Sequence, residues 1–139
     1  MTNQKEFNAN HIKIARINRA VKYALNLNIL DGSENIYMTM EQVDALAKER
    51  PESYLKTLEW ISDMLKQPDF VGKREQGRRI AYIKEYYNNL TKKFEKVVVS
   101  VIKDCDHRQV EWWYATCDGS AIIHDTGIDE FYRVEGARR

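Results

Sequence analysis

The segment Phe94–Cys117 constrains the fold most, because it holds two runs of strand-forming residues joined by a short polar link. The first run, Phe94–Lys103, is dominated by β-branched residues, which suit a pleated and packed surface. The second run, Val110–Cys117, contains two tryptophans and a tyrosine. Two such runs in succession predict a β-hairpin.

Side chains alternate between the two faces of a strand, so the hairpin residues can be assigned to faces. On the first strand, one face holds Val97, Val99 and Val101, and the other holds Val98, Ser100 and Ile102. On the second strand, one face holds Trp112, Tyr114 and Thr116, and the other holds Glu111, Trp113 and Ala115. Both faces of the first strand are largely apolar, which predicts a central strand with helices over at least one face.

Length and composition predict one globular domain covering residues 1–139, large enough to bury a core without a metal or a disulfide. No apolar run approaches the ~20 residues of a membrane span, and the polar N-terminus does not resemble a secretory signal. Cys105 and Cys117 are typical of free thiols in a cytoplasmic protein. We therefore predict a cytoplasmic location, no membrane contact, no cofactor and no metal site.

Helices are predicted mainly in the first half. Apolar residues from Ile14 to Leu25 recur at helical spacing, which favours a helix from Asn10, although Ile12–Ile17 also alternates like a strand. A turn is predicted at Asp31–Ser33, then a short strand at Asn35–Met38. Thr39 followed by Gln42 is a capping box that predicts a helix over residues 40–49, and a further helix runs from Pro51 to about Lys66.

Strands are predicted mainly in the second half. Arg79–Tyr87 is interpreted as a strand, with a helix over Ile80–Leu90 as the alternative. Ser120–His124 is interpreted as a further short strand, and Gly127–Val134 as an amphipathic end piece with Ile128, Phe131 and Tyr132 facing inward. Helices first and strands later predict an α+β fold, with the helices packed on one face of a C-terminal antiparallel sheet.

Charge is unevenly distributed along the chain. Residues 73–108 contain ten Lys or Arg side chains and five Asp or Glu side chains, whereas the whole chain has a net charge of only +1. Such a basic block can bind an anion even in a nearly neutral protein. The alternative is an ordinary solvated face balanced by the acidic helices.

Three stretches in this order resemble the phage-associated nuclease domains grouped with barnase, EndoU, colicin E5/D and RelE. They are Ile36–Thr39 leading into the helix before Pro51-Glu52, the helix ending in Pro68–Gly72, and the strands that begin near Ile80. The resemblance covers approximately residues 35–117 and implies a small α+β nuclease core. The family pattern carries histidines at positions that hold Val43 or Asp44, and Arg50, in this sequence.

Metal-independent RNA cleavage needs a base, an acid and cations that stabilise the phosphorane. For the catalytic roles we predict His107, Lys84 and Thr116. For RNA contact we predict Arg78, Arg79, Lys96, Tyr114 and Trp113. Guanidinium groups fork onto phosphate oxygens, hydroxyls can position a phosphate or ribose, and an exposed tryptophan can stack on a base. The prediction requires Arg79, Lys84, His107 and Thr116 to share one pocket.

The predicted function is therefore that of an RNase-like phage or prophage protein with RNA as its partner. The alternative is a phage-encoded, non-enzymatic inhibitor that binds a host or defence protein. In that case the contact would be made by the tryptophan-bearing sheet or by an acidic helical face that consists of Asp44, Glu49, Glu52, Glu59 and Asp63. The sequence leaves the oligomeric state open.

Overall fold

The computed structural model describes residues 10–27, 34–104 and 107–134. These residues form four helices and seven strands. The helices are α1 (Arg19–Leu25), α2 (Met40–Glu49), α3 (Tyr54–Lys66) and α4 (Gly119–Thr126). The strands are β1 (His11–Arg16), β2 (Asn35–Thr39), β3 (Phe70–Arg74), β4 (Arg79–Asn88), β5 (Lys93–Asp104), β6 (His107–Thr116) and β7 (Tyr132–Arg133).

All strands belong to one sheet in the order β1-β2-β6-β5-β4-β3-β7. Every neighbouring pair is antiparallel except β2 and β6, which are parallel. The long strands β4, β5 and β6 form its centre. The predicted hairpin is confirmed as β5 and β6, in which Val98 pairs with Tyr114 and Val99 with Trp113.

The two sheet faces have different neighbours. One face, here called the covered face, carries Val97, Val99 and Val101 of β5 and packs against α1, α2 and α3. The opposite face, here called the open face, carries Val98, which forms a smaller cluster with Ile83 and with Ile122 of α4. The predicted α+β fold, with early helices over a later and mostly antiparallel sheet, is thus confirmed. The short α4 is the one described helix on the open face.

The helix α2 begins where its sequence predicts. The Gln42 backbone N–H donates to Thr39 Oγ1 at 3.0 Å, and the Thr39 N–H donates to Gln42 Oε1 at 2.9 Å, which completes the capping box. The Gln42 side chain also donates from Nε2 to the Val110 carbonyl at 2.7 Å. This side chain therefore both begins the helix and attaches it to β6.

The predicted helix from Asn10 is wrong in its first half. His11–Arg16 is strand β1, which pairs with β2, and α1 begins only at Arg19. The Asn18 side chain caps α1, because its Oδ1 accepts from the Val21 N–H at 2.8 Å. The strand alternative therefore describes residues 11–16, and the helical spacing is real only from Ile17 onward.

In the second half, the Arg79–Tyr87 strand is confirmed and its helix alternative is excluded, since β4 pairs with β3 and β5 along its length. The Ser120–His124 strand is wrong, because these residues lie in α4. Asp118 caps α4 by accepting from the Ser120 N–H at 2.9 Å, and Gly127 ends it with a φ of 70°.

Three further expectations concern the ends and turns of the chain. Ile128 is buried as predicted, but Tyr132 is exposed rather than inward. The predicted Asp31–Ser33 turn and Cys105 lie outside the described residues. Within the described ranges, no helix is long and apolar enough to cross a membrane.

The α3 helix offers a matched test of the core. Leu65 is fully buried, whereas Leu55 on the same helix is 67 % exposed. We expect Leu65→Ala to lower the free energy of unfolding by about 2–5 kcal/mol, because a buried cavity is created. Leu55→Ala should change it by less than about 0.5 kcal/mol. Urea unfolding of both variants measures the difference, and equal effects would contradict this packing.

Candidate functional site on the open face

The predicted site residues divide between the two sheet faces. Five of them lie on strands with their side chains on the open face: Arg79, Lys96, His107, Tyr114 and Thr116. Lys84 and Trp113 lie on the covered face, because each is aligned with a β5 residue, Val97 or Val99, that packs into the core there. Arg78 precedes β4 in a turn.

Lys84 is separated from the other predicted catalytic residues by the sheet itself. Its Nζ donates to the Gln67 carbonyl at 2.6 Å, just beyond the C-terminal end of α3. A cation suits that position, because the last carbonyls of a helix lack backbone partners. Lys84 therefore stabilises the end of α3 and does not reach the open face.

Thr116 and His107 are also far from each other. They lie nine residues apart on β6, which corresponds to about 30 Å at the usual rise of a strand. Thr116 Oγ1 accepts from the Asp118 N–H at 3.0 Å, in the turn before α4. Arg79, Lys84, His107 and Thr116 consequently do not form one pocket, and the predicted catalytic set is corrected on this point.

Two of the predicted cations, one on the open face and one in the turn before β4, are paired with carboxylates. Lys96 Nζ is 3.5 Å from Glu85 Oε2. Arg78 Nη1 is 3.9 Å from Glu75 Oε2, with both side chains more than half exposed. An exposed pair of this kind contributes little to stability and can be opened by an anion.

The best-defined polar constellation on the open face is formed by Arg79, Glu111 and Ser100. Arg79 Nη2 donates to Glu111 Oε2 at 2.9 Å. The Ser100 hydroxyl donates to Glu111 Oε1 at 2.9 Å. The side chains of Arg79 and Glu111 are 21 % and 26 % exposed, and Ser100 is fully buried. A guanidinium, a carboxylate and a hydroxyl are thereby held together at the surface of the central strands.

A β-bulge explains why Glu111 is there. Ser100 pairs with Trp112 and Val101 pairs with Val110, so Glu111 is an extra residue on β6. Strict alternation assigned Glu111 to the face opposite Trp112, and that assignment is wrong. Nothing in the local sequence announces the bulge, so the sequence analysis missed Glu111 and Ser100 as site residues.

The Arg79 guanidinium keeps an unused donor. Its Nε is buried and has no hydrogen-bond partner among the described residues. An unsatisfied buried donor is uncommon and costs free energy, so it calls for an explanation. A guanidinium that turns toward a bound phosphate can use Nε and a terminal nitrogen together in a bidentate contact.

His107 lies in a ring cluster at the other end of β6. Its ring centroid is 5.2 Å from that of His11 on β1 and 6.1 Å from that of Tyr37 on β2, in edge-to-face contacts. His107 precedes Glu111 by four residues, or about 13 Å along the strand. The proximity of His11 depends on the β1 strand, which the sequence analysis took for a helix.

An aromatic cavity lies next to Glu111, toward the C-terminal end of β6. It measures about 370 Å³ and is lined by Trp112, Trp113, Tyr114 and Asp125. The rings of Trp112 and Tyr114 meet edge to face, with centroids 5.4 Å apart. Burial and, second, the Asp125 carboxylate on α4 together raise the pKa of Tyr114 to about 12.

Among the residues that the structure describes, no group of three or more His, Cys, Asp or Glu side chains could hold a metal ion. His124 is highly exposed and lies beside Asp125, away from the other histidines. Cys117 is an exposed free thiol.

Comparisons with protein-family models, curated proteins and solved structures found no match to this chain. The resemblance to the phage-associated nuclease domains therefore stays a prediction from the sequence. Function has to be argued from the open face itself.

The contact between Tyr114 and Asp125 generates a prediction. Tyr114→Phe should remove a phenol that titrates near pH 12 in the folded protein, measured by tyrosinate absorbance. Asp125→Asn should lower the pKa of Tyr114, because a negative neighbour is lost. The folded-state pKa is raised, so the associated stability is present below pH 10 and is lost as pH rises toward 12. An unchanged titration in Asp125→Asn would contradict the contact.

Proposed function

We propose that the open face binds RNA and cleaves its phosphodiester backbone without a metal, with Arg79, Glu111 and Ser100 as the reactive group. The observation that carries the proposal is the constellation itself. A guanidinium and a carboxylate, 2.9 Å apart and partly accessible, lie on the sheet face that α1, α2 and α3 leave uncovered.

The chemistry follows from the residue types. Glu111 accepts the proton of a ribose 2′-hydroxyl, whose oxygen then attacks the adjacent phosphorus. Arg79 leaves the carboxylate and stabilises the charge on the phosphorane oxygens. The 5′-oxygen departs with a proton supplied by solvent, which leaves a 2′,3′-cyclic phosphate on one fragment. Ser100 holds the carboxylate in position through its hydroxyl.

Neighbouring side chains suit a polynucleotide on either side of this centre. Trp112 and Tyr114 offer partly exposed rings for base stacking, at one end of the face. Lys13, aligned with Tyr37, contributes an exposed cation at the other end. The nuclease domains that the sequence resembles imply the same reaction class, but their histidine positions hold Val43 or Asp44, and Arg50, here, so the proposal rests on Glu111 and Arg79 instead. With RNA as substrate, we propose the cytoplasm of a host cell as the place of action. Lys84, Thr116 and Trp113 have no part in this proposal.

Incubation of the purified protein with labelled RNA in EDTA tests the proposal. We expect cleavage to 2′,3′-cyclic phosphate ends that persists without metal. Glu111→Gln should slow cleavage by about 10²–10⁴-fold, the usual contribution of a positioned general base. Arg79→Ala should weaken both RNA binding and cleavage.

Lys84→Ala is the matched control, since it removes a cation on the opposite face and should leave cleavage unchanged once its folding has been verified by thermal melting. Intact RNA with the folded wild-type protein would overturn the proposal. Undiminished cleavage by Glu111→Gln would overturn the assignment of the base.

A further inference from the structure

A second surface lies at the edge of β6, on the covered side of the sheet. It is a groove of about 710 Å³ between α2, α3 and β6, here called the edge groove. The lining residues that matter below are Glu49, Arg50, Lys56, Thr57, Trp60 and Trp113. A volume of this size is typical of ligand-binding clefts.

On the floor of the groove, one edge of β6 has no neighbouring strand. β2 pairs with β6 only at Arg108 and Gln109, and the chain then turns into α2 at Met40. The Gln42 side chain satisfies the Val110 carbonyl. Beyond that point, no strand among the described residues pairs with this edge of β6. This edge of β6 therefore lacks a strand partner over residues 111–116, and residues 113–115 of it line the groove over about 10 Å.

An open strand edge selects its ligand by geometry. Its N–H and C=O groups recur at strand spacing, so an extended backbone matches them and a helix does not. Natural sheets usually cover or shorten such an edge, and this one lies inside the sheet order between β2 and β5. The groove is therefore shaped to take one additional short strand.

The side chains around this edge determine which side chains a bound strand should have. Trp60 of α3 and Trp113 of β6 are both partly exposed and pack at the margin of the core. Both line the edge groove and give it aromatic surface, here called the tryptophan slot, for an apolar side chain, the kind of anchor that dominates protein interfaces. Trp113 was predicted to stack on an RNA base, but its position on the covered face suits this slot instead.

The charged residues that line the groove are Glu49, Arg50 and Lys56. Lys56 forms no ion pair among the described residues, and Arg50 has only the exposed Glu49 beside it at 3.5 Å. Lys56 is therefore the lining charge that is left for a ligand to neutralise. An acidic segment of a different protein would be complementary.

We propose that the edge groove binds an extended, acidic segment of a partner protein, which adds a strand to β6. An apolar side chain of that segment occupies the tryptophan slot, and a carboxylate faces Lys56. This interaction is separate from RNA cleavage, because it uses the edge and covered face of β6 and leaves Arg79 and Glu111 unchanged.

Selection from a display library of random ten-residue peptides tests the proposal with the full-length protein as bait. We expect enrichment of peptides that alternate apolar and polar residues and carry at least one acidic residue. In amide hydrogen exchange, a synthetic copy of the enriched peptide should protect alternate backbone amides of residues 111–116. Lys56→Glu should reverse the charge preference from acidic to basic peptides.

Two variants separate the groove from the rest of the surface. Thr57→Trp should fill the groove and abolish peptide binding, whereas Leu55→Ala on the exposed side of α3 should not alter it. Glu111→Gln should also leave peptide binding intact, so that failure here and failure of RNA cleavage are distinguishable.

Three outcomes would overturn the inference: no enriched peptide, binding that survives Thr57→Trp, or binding without protection of the β6 amides. A concentration-dependent dimer that protects those amides without added peptide would replace the partner protein with a second copy of the chain.

Discussion

The burial of β5 on both faces is the constraint on which the rest of the structure depends. Val97, Val99 and Val101 need apolar cover on one side, and Val98 needs it on the other. Three helices supply the first cover, and the short α4 supplies part of the second. Because α4 is only eight residues long, most of the polar open face stays accessible beyond it. A strand buried on both faces thus produces one closed side and one side available for binding.

The long strands explain why the sequence predicts so much of this fold. β-Branched residues and alternation identify β4, β5 and β6, while the capping box identifies α2. The failures have local physical causes. His11–Arg16 has both helical spacing and strand alternation, and only pairing with β2 decides between them. Residues 119–126 are apolar enough for a strand, but the Asp118 cap and Gly127 make a helix of them.

The candidate site was less predictable than the fold, because faces depend on single-residue register. Strict alternation correctly separates Trp112 from Trp113. Applied to the predicted strand Arg79–Tyr87, the same alternation places Lys84, five residues after Arg79, on the opposite face, so the predicted pocket was inconsistent with the predicted strand. Alternation fails at Glu111, where one extra residue turns a carboxylate toward Arg79. The pairing of β1 with β2 and of β2 with β6 also brings His11 next to His107. Because the two histidines are far apart in the sequence, this contact could not be predicted from it.

The bulge connects the two proposed surfaces through one strand. On one side of β6 it presents Glu111 and Trp112 together, next to Arg79 and the aromatic cavity. Beyond it, Trp113 and Ala115 line the edge groove. Without the extra residue, Glu111 would share the covered face with Trp113, where an unpaired carboxylate would be costly to bury. The irregularity therefore removes a charge from the tryptophan slot and also supplies the open face with its carboxylate, so that a bound segment and an RNA strand contact different side chains of β6.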